Sequence, residues 1–186
     1  ASDFLRTELS HIIEAPPVKV VARLPSNVAT PIIFRLLGSK GAISEATLML
    51  QREGAQRIAA SPGTKAYGAL SVFVQLYATV ETICEVGPLS FYPAPKVRSQ
   101  VIQMIVQGVP KIEILDAALF RRIVKAAFGR RRKTLKNALK VLGGQDLGIV
   151  EKNSGLDLQR RGETLSVEEF AHLANTWPAG NLSDGL

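Results

Sequence analysis

The feature that most constrains the fold of this chain is the junction where its first apolar run ends in a Leu-Pro turn. Residues 18–22 predict a buried strand, and residues 27–34 predict the start of a helix. Between them stand Arg23, Leu24, Pro25 and Ser26. In an open α/β sheet, a turn that follows a strand lies at the carboxyl edge, where such sheets bind ligands. The junction therefore predicts an α/β fold with a ligand site at this turn.

Patterns typical of strands and helices alternate through residues 1–108, which we predict to form the first domain. The strand candidates are residues 18–22, 46–50, 79–86 and 101–106, and the helix candidates are residues 30–37, 53–60 and 69–76. This alternation favours a mainly parallel sheet with helices on its faces, and it is compatible with an antiparallel pair at the end.

The pattern changes at Gly108-Val109-Pro110, and helices dominate residues 109–186, which we predict to form a small all-α domain. The predicted helices are residues 114–127, ending before Gly129, residues 131–142, and a last helix with Ser166 as N-cap and Glu169 closing a capping box. Because Leu165 and Phe170 flank that cap, they predict a hydrophobic staple.

Composition narrows the classes of function. The net charge of +7 favours a polyanionic partner. The single cysteine, Cys84, excludes an internal disulfide, fits a reducing cytosol and, within its strand pattern, predicts a buried thiol. His11 and His172 lack the spacing typical of metal ligands, so we expect no metal. We see no apolar run long enough to span a membrane and no signal peptide, and we expect a cytoplasmic monomer.

An aromatic pair, Phe91-Tyr92, stands in a long loop between the last two predicted strands. The loop, residues 87–96, contains three prolines, which limit its conformations. Aromatic rings in such a loop are costly to expose unless a partner covers them. A flat ring at a ligand edge can stack on a nucleic-acid base, which contributes about 1–3 kcal/mol. The alternative is that Phe91 fills a gap in the core.

A basic run extends from residue 121 to residue 140, with nine cationic side chains and no acidic one. Its members are Arg121, Arg122, Lys125, Arg130, Arg131, Arg132, Lys133, Lys136 and Lys140. Apolar residues are interleaved with them, which predicts a folded segment that presents its cations on one side. A folded basic face is typical of phosphate binding, so we expect a nucleic-acid partner. The alternative is an ordinary solvated surface.

Taken together and in order, these motifs resemble those of the KsgA-type small-subunit rRNA adenine dimethyltransferases. The matching segments are an altered Asn-Leu-Pro-Tyr motif at residues 23–26, Phe-Tyr-Pro-Ala-Pro-Lys-Val at 91–97, residues 130–137 and residues 163–166. The resemblance implies part of a Rossmann-like, S-adenosylmethionine-dependent methyltransferase domain, followed by a helical domain that docks on RNA. It also implies transfer of two methyl groups to N6 of each of two adjacent adenines in small-subunit rRNA.

The resemblance assigns roles to individual positions. The residues that match the catalytic motif are Arg23, Leu24, Pro25, Ser26 and Phe91. The residues that match cofactor-binding positions are Asp3, Phe4, Arg23 and Pro25. The expected RNA-binding residues are Arg121, Arg122, Lys125, Arg130, Arg131, Arg132, Lys133 and Lys136. In this family an Asn side chain and the proline carbonyl accept hydrogen bonds from the target amine, and two rings stack on the base; Phe91 matches one of them.

The two most chemical positions of the Asn-Leu-Pro-Tyr motif depart from the family pattern. Arg23 replaces the Asn, and a guanidinium has five donors and no acceptor. Ser26 replaces the stacking tyrosine and has no ring. The family's glycine-rich cofactor loop and ribose-binding acid also have no counterpart, and both belong before Asp3. We therefore expect either a fragment of a longer enzyme, favoured by the sheet edge that truncation leaves, or a short protein without catalysis. On either hypothesis, this polypeptide alone binds S-adenosylmethionine weakly or not at all.

Three other functions stay open at the level of sequence. A non-catalytic RNA-binding or ribosome-assembly factor uses the same basic face without methyl transfer. A large-subunit rRNA adenine methyltransferase shares the methyl-transfer motifs, although the Lys-Val-containing proline loop and the Arg-Arg-Lys-Thr-Leu run favour the small subunit. A transcription factor descended from the same fold binds duplex DNA instead of RNA.

Overall fold

A computed structural model describes residues 4–9 and 13–178 of the chain. The chain divides into two compact units. Unit 1 comprises residues 1–60 and 73–111, and unit 2 comprises residues 61–72 and 112–186. Residues 61–72 thus belong to the second unit, whereas the predicted boundary after residue 108 assigns them to the first domain.

Unit 1 is built on a sheet whose four described strands lie in the order β1-β2-β4-β3. The strands are β1 (Val18–Arg23), β2 (Ile43–Gln51), β3 (Ala78–Val86) and β4 (Ser99–Val106). β1 and β2 pair parallel, whereas β4 pairs antiparallel with both β2 and β3. The antiparallel pair is therefore present as expected. The prediction of mainly parallel pairing is wrong for these strands, because β4 inserts between β2 and β3.

Three helices accompany the strands along this part of the chain: α1 (Ala29–Leu37), α2 (Arg52–Ala59) and α3 (Ala69–Tyr77), which runs across the division between the units. α1 buries Ile33, Leu36 and Leu37, a three- and four-residue spacing that places them on one face of a helix. α2 packs against β2, β3 and β4. The apolar side chains that the helices cover form the core of unit 1.

The strand directions place two loops at one edge of the sheet. Arg23 at the end of β1 lies opposite Met49 of β2. Gln51, the last residue of β2, and Val86, the last residue of β3, both lie opposite Ser99, the first residue of β4. The turn after β1 and the loop between β3 and β4 therefore leave the sheet at the same edge.

The outer strands are more exposed than their apolar sequences predict. Val21 of β1 is 83% exposed, so the prediction of a buried strand is wrong for that face of β1. Cys84 of β3 is a free, exposed thiol and not the predicted core residue. β1 and β3 are the first and the last strand in the described sheet order. An apolar run in the sequence does not reveal which face of its strand is covered by another element.

Unit 2 contains four further helices in the described part of the chain. They are α4 (Ala117–Gly129), α5 (Leu135–Leu139), α6 (Leu147–Ser154) and α7 (Val167–Asn175). The predicted helix over residues 131–142 is wrong at both ends, since residues 131–134 precede α5 and Lys140–Leu142 form a 3₁₀ turn. The side chain of Thr134 accepts a hydrogen bond from the Asn137 amide and so begins the helix later.

α6 was not predicted, although its ends carry recognisable signals. The Asp146 side chain accepts a hydrogen bond from the Gly148 amide at 2.8 Å. At the other end Gly155 has a φ of +64°, in the left-handed region that glycine reaches without a steric penalty. With eight residues, α6 is short enough for its apolar spacing to be missed.

The capping box predicted for α7 is confirmed. The Ser166 hydroxyl accepts from the Glu169 amide at 3.2 Å, and the Glu169 carboxylate accepts from the Ser166 amide at 2.8 Å. The same carboxylate is bound by the Arg160 guanidinium through both Nη atoms. The bond to Arg160, followed by that to the Ser166 amide, holds the pKa of the Glu169 carboxyl below its ordinary value against the opposing effect of burial.

We expect this carboxylate to give unit 2 an acid-dependent stability. Because its pKa is lower in the folded state, its contribution is complete above the unfolded pKa, near 4.5, and is lost as pH falls through the folded value. Glu169→Gln should therefore flatten the decrease in unfolding free energy below about pH 4.5, as measured by urea denaturation at successive pH values. Glu168→Gln, on the same first helical turn, is the control and should leave the pH profile unchanged.

Candidate functional site

The turn that follows β1 is fixed by the sheet on one side and by its own backbone on the other. Leu24 is buried, and its amide donates to the Met49 carbonyl at 3.0 Å, which extends the parallel pairing by one residue. Pro25 and Ser26 are exposed. The Pro25 carbonyl accepts from the Val28 amide at 3.2 Å. A carbonyl oxygen has two lone pairs, so Pro25 retains one direction from which it can accept another donor.

The structure brings Arg23 and Phe91 together although they are far apart in the sequence. The Arg23 Cζ atom lies 4.7 Å from the centroid of the Phe91 ring, with the guanidinium over the ring. Phe91 is half-buried and is not a core residue. Its amide donates to the Pro88 carbonyl at 3.2 Å, at the end of a 3₁₀ turn over Pro88–Ser90. A ring from the β3–β4 loop and the turn after β1 thus form one site at the sheet edge.

The contact between Arg23 and Phe91 defines what this site can do chemically. A guanidinium over an aromatic ring contributes about 0.5–1 kcal/mol at an exposed position. The guanidinium can donate to a phosphate or to a base oxygen, but it cannot accept from an exocyclic amine. The acceptor that the turn offers to an amine is therefore the Pro25 carbonyl.

A carboxylate holds the far end of the β3–β4 loop. The Glu85 oxygens lie 3.2 Å from Arg52 Nε and 3.5 Å from Arg98 Nη1. The Arg52 amide also donates to the Arg98 carbonyl at 3.0 Å. These contacts connect β3, the first residue of α2 and the residue before β4, where the loop returns to the sheet. Sequence reasoning missed Glu85 and Arg52, because no local spacing relates them to the loop.

Two expected cofactor-binding residues, Asp3 and Phe4, precede the turn in the sequence. Asp3 is outside the described residues. The Phe4 ring lies 5.7 Å from the Arg35 Cζ atom of α1, and Arg35 donates to the carbonyls of Leu5 and Thr7. No hydrogen bond, ion pair or ring contact among the described residues joins Phe4 to Arg23 or Pro25. The structure therefore places the Phe4 ring beside Arg35 of α1.

The cations of α4 share one side of that helix. With about 100° of rotation per residue, Arg121, Arg122 and Lys125 fall within an arc of about 100°. Arg121 and Lys125 are exposed and Arg122 is half-buried, whereas Ile123 and Val124 are fully buried. The apolar side packs into unit 2, so the predicted arrangement with cations on one side holds for this helix.

The turn between α4 and α5 adds three more exposed cations, Arg130, Arg132 and Lys133. The Lys133 amide donates to the Arg130 carbonyl at 2.8 Å, which closes the turn. Among the residues that the structure describes, none of these three side chains forms an ion pair. They are therefore available to an anion.

Two members of the basic run are bound within the protein. Arg131 donates to the carbonyls of Lys65 and Tyr67 at 3.0 and 3.1 Å, and its Nη2 lies 3.0 Å from a Glu163 oxygen. Lys136 Nζ lies 3.8 Å from a Glu151 oxygen. Arg131 thus connects three segments of unit 2, a role that the charge pattern did not reveal.

Within residues 4–9 and 13–178, no group of three histidine, cysteine or acidic side chains is arranged to hold a metal ion. His11 lies outside these residues, and His172 Nε2 is 3.0 Å from the Ser154 carbonyl oxygen. No helix in the described ranges combines the length and apolar character that a membrane span needs.

Comparison with known proteins identifies the family. Residues 1–177 match the ribosomal RNA adenine dimethylase family. Over 162 residues the chain is 49% identical to the ribosomal RNA small subunit methyltransferase A of Geobacter sulfurreducens, covering 85% of this chain and 59% of that protein. The corresponding protein of Clostridium acetobutylicum is 44% identical over 177 residues, covering 94% of this chain and 64% of the relative.

Solved structures show the same architecture. A dimethyladenosine transferase from Plasmodium falciparum superimposes with a TM-score of 0.70 at 24% identity, covering 91% of this chain and 69% of that chain. The 23S rRNA methyltransferase ErmE gives a TM-score of 0.68 at 20% identity, covering 94% and 69%. At these identities the likeness concerns the fold alone, and it confirms the predicted α/β, Rossmann-like fold.

The fold thus defines an α/β, Rossmann-like protein with a second, helical unit. The extent of the family match makes the assignment specific: the chain belongs to the ribosomal RNA adenine dimethylase family. It spans 59% and 66% of the length of the relatives from Geobacter sulfurreducens and Syntrophotalea carbinolica.

Proposed function

We propose that this protein acts in the cytoplasm as an S-adenosylmethionine-dependent methyltransferase that dimethylates N6 of adenine in small-subunit rRNA. The observation that carries the proposal is the meeting of Phe91 with the Arg23–Ser26 turn at one sheet edge. This geometry occurs in a chain that is 41–49% identical to small-subunit rRNA methyltransferases. Large-subunit rRNA is the less favoured substrate.

The exocyclic amine of adenine is a weak nucleophile because its lone pair is delocalised into the ring. Accepting hydrogen bonds from the two N–H groups aims that lone pair, and such positioning lowers the barrier without a strong base. In this site the Pro25 carbonyl is the acceptor for the amine and Phe91 is the ring that stacks on the base. Leu24, buried and bonded to Met49, fixes the position of the Pro25 carbonyl.

S-adenosylmethionine, when bound, supplies a methyl group on a positively charged sulfur. The described residues at this edge do not fit that charge. Arg23 is itself a cation, and Glu85, a carboxylate at the same edge, is already paired with Arg52 and Arg98. We therefore assign base positioning to these residues and derive no step through the cofactor.

The rRNA phosphates are the proposed partners of the cations in unit 2. Each cation that neutralises a phosphate releases a counterion, which favours binding at low salt. The cations without an ion pair in the described structure are the best candidates: Arg121, Arg122, Lys125, Arg130, Arg132 and Lys133. Lys136 can contribute if its long contact with Glu151 opens, whereas Arg131 is held by three protein partners.

The test is transfer of radiolabelled methyl groups to unmethylated small- and large-subunit rRNA, with primer extension to locate them. At a cofactor concentration high enough to offset weak binding, we expect label only in the small-subunit RNA, and its loss in Phe91→Ala. The double variant Arg23→Asn with Ser26→Tyr should increase transfer, because it adds an acceptor and a second ring. Label confined to large-subunit RNA, or to bases other than adenine, would contradict the proposal.

A second function is favoured by one observation, the position of the Arg23 guanidinium over the Phe91 ring. A guanidinium donates hydrogen bonds and accepts none. Its position on that ring therefore favours a non-catalytic RNA-binding or ribosome-assembly factor. If this function is correct, every variant stays without methyl transfer while the wild-type chain binds small-subunit rRNA tightly at physiological salt. Tighter binding to duplex DNA at the same salt would instead favour a transcription factor.

A further inference from the structure

One large aromatic side chain of unit 1 stands fully in solvent. Tyr92, next to Phe91, has a relative exposure of 102%, and Leu89 in the same loop is 95% exposed. An exposed tyrosine in a loop is not unusual by itself. Here it adjoins a ring that the structure places at the candidate base site, in a loop stiffened by Pro88, Pro93 and Pro95.

The loop is anchored on both sides of the tyrosine. On one side, the amides of Ser90 and Phe91 donate to the carbonyls of Gly87 and Pro88, each at 3.2 Å. On the other side, Glu85 pairs with Arg98 where the loop returns to β4. A ring on such a support loses little conformational entropy when a partner covers it, which favours binding.

Phe91 and Tyr92 have different surroundings although they are neighbours in the sequence. The Phe91 ring is half-buried and lies under the Arg23 guanidinium, whereas Tyr92 is fully exposed. The loop therefore presents, at consecutive positions, one ring that the protein partly covers and one ring that is open to a partner.

The charge of the loop indicates the occupant. Residues 87–98 contain no acidic residue. Of their two cations, Arg98 is paired with Glu85, whereas Lys96 is exposed and has no ion pair among the described residues. An exposed ring with a free cation in the same loop matches a single-stranded nucleic acid, whose bases stack and whose phosphates are anionic. A protein partner would find a small apolar contact surrounded by positive charge.

We propose that Tyr92 is a second stacking platform, which takes an unpaired RNA base next to the base held at Phe91. This inference rests on the proposed function, because it takes RNA as the ligand. It does not require methyl transfer. By holding the neighbouring nucleotide, Tyr92 keeps it from restacking on the base at Phe91. Tyr92 is thus a positioning residue for the RNA strand.

The test is binding of the full chain, without cofactor, to a small-subunit rRNA hairpin that carries the fluorescent base 2-aminopurine beside the target adenine. Tyr92→Ala should weaken binding by about 5- to 100-fold and abolish the quenching that stacking produces. Tyr92→Phe should keep both. The dependence of affinity on salt should be unchanged in Tyr92→Ala, because stacking neutralises no phosphate, whereas Lys96→Ala should reduce it.

Leu89→Ala is the matched control, since Leu89 is as exposed as Tyr92 but has no ring; we expect less than a twofold change. Equal losses in Tyr92→Ala and Leu89→Ala, or an equal effect on fully paired RNA, would overturn the proposal. Unchanged binding by Tyr92→Ala would overturn it even where methyl transfer succeeds. Conversely, methyl transfer can fail in every variant while Tyr92→Ala still loses affinity, and the two proposals are then separated.

Discussion

Replacing Arg121, Arg122 and Lys125 together by alanine is expected to weaken binding to small-subunit rRNA by about 10- to 100-fold at moderate salt. These cations share one side of α4, and Ile123 and Val124 on the opposite side are buried in unit 2. The substitutions therefore remove charge from the surface and leave the core intact. Filter binding or fluorescence titration over a series of salt concentrations measures the effect.

The salt dependence separates phosphate contacts from other causes of weaker binding. If each cation neutralises one phosphate, the slope of log affinity against log salt should fall by about 2 to 3 in the triple variant. The charge-preserving variant Arg121→Lys with Arg122→Lys should keep nearly the whole slope. A triple variant that binds less tightly with an unchanged slope would show that α4 contacts RNA by other means, or does not contact it.

The parts of the fold that the sequence predicts well are those fixed by local interactions. The box between Ser166 and Glu169 needs only three residues of spacing, and it forms as predicted. The strand ends were predicted to within a few residues, because apolar runs and turn residues are local signals. The sheet order was not predictable in this way, because nothing near β4 in the sequence says that it inserts between β2 and β3.

Arg131 shows the same limit for the candidate site. Its neighbours Arg130 and Arg132 are chemically identical to it and stand exposed in the same turn. The groups that bind Arg131 are carbonyls of Lys65 and Tyr67, which lie 66 and 64 residues away in the sequence. A pattern of charges therefore predicts a basic surface, whereas only the folded chain distinguishes the cations that face solvent from the one that holds the fold.

Arg23 and Phe91 fall between these cases. The sequence placed Arg23 directly after a strand and Phe91 in the loop that follows another strand. Strands that run in the same direction in an open sheet end at one edge, so the turn and the loop are expected to meet there. What topology does not supply is the contact itself. The guanidinium lies over the ring, with Cζ 4.7 Å from the ring centroid. Arg23 in place of the family's Asn therefore removes a hydrogen-bond acceptor and also covers the Phe91 ring.

Phe170→Ala is expected to lower the unfolding free energy of unit 2 by about 3–5 kcal/mol. Phe170 of α7 is fully buried, and its ring lies 5.7 Å from that of Phe128 in α4. The Phe128 ring in turn lies 5.8 Å from that of Tyr67, at an angle of 70°. Deleting the Phe170 ring leaves a cavity among three segments, and aromatic pair contacts are lost with it.

Such a loss is a large share of the 5–15 kcal/mol that stabilises a typical domain. Urea denaturation of the whole chain, followed by the fluorescence of its single tryptophan, Trp177, reports on unit 2, where that side chain is buried. Phe170→Leu should cost less than about 1.5 kcal/mol because it refills most of the volume. Phe91→Ala removes a half-buried ring in unit 1 and should leave the Trp177 transition in place. Equal midpoints for Phe170→Ala and Phe170→Leu would show that α7 moves to fill the cavity, which contradicts a rigid aromatic core.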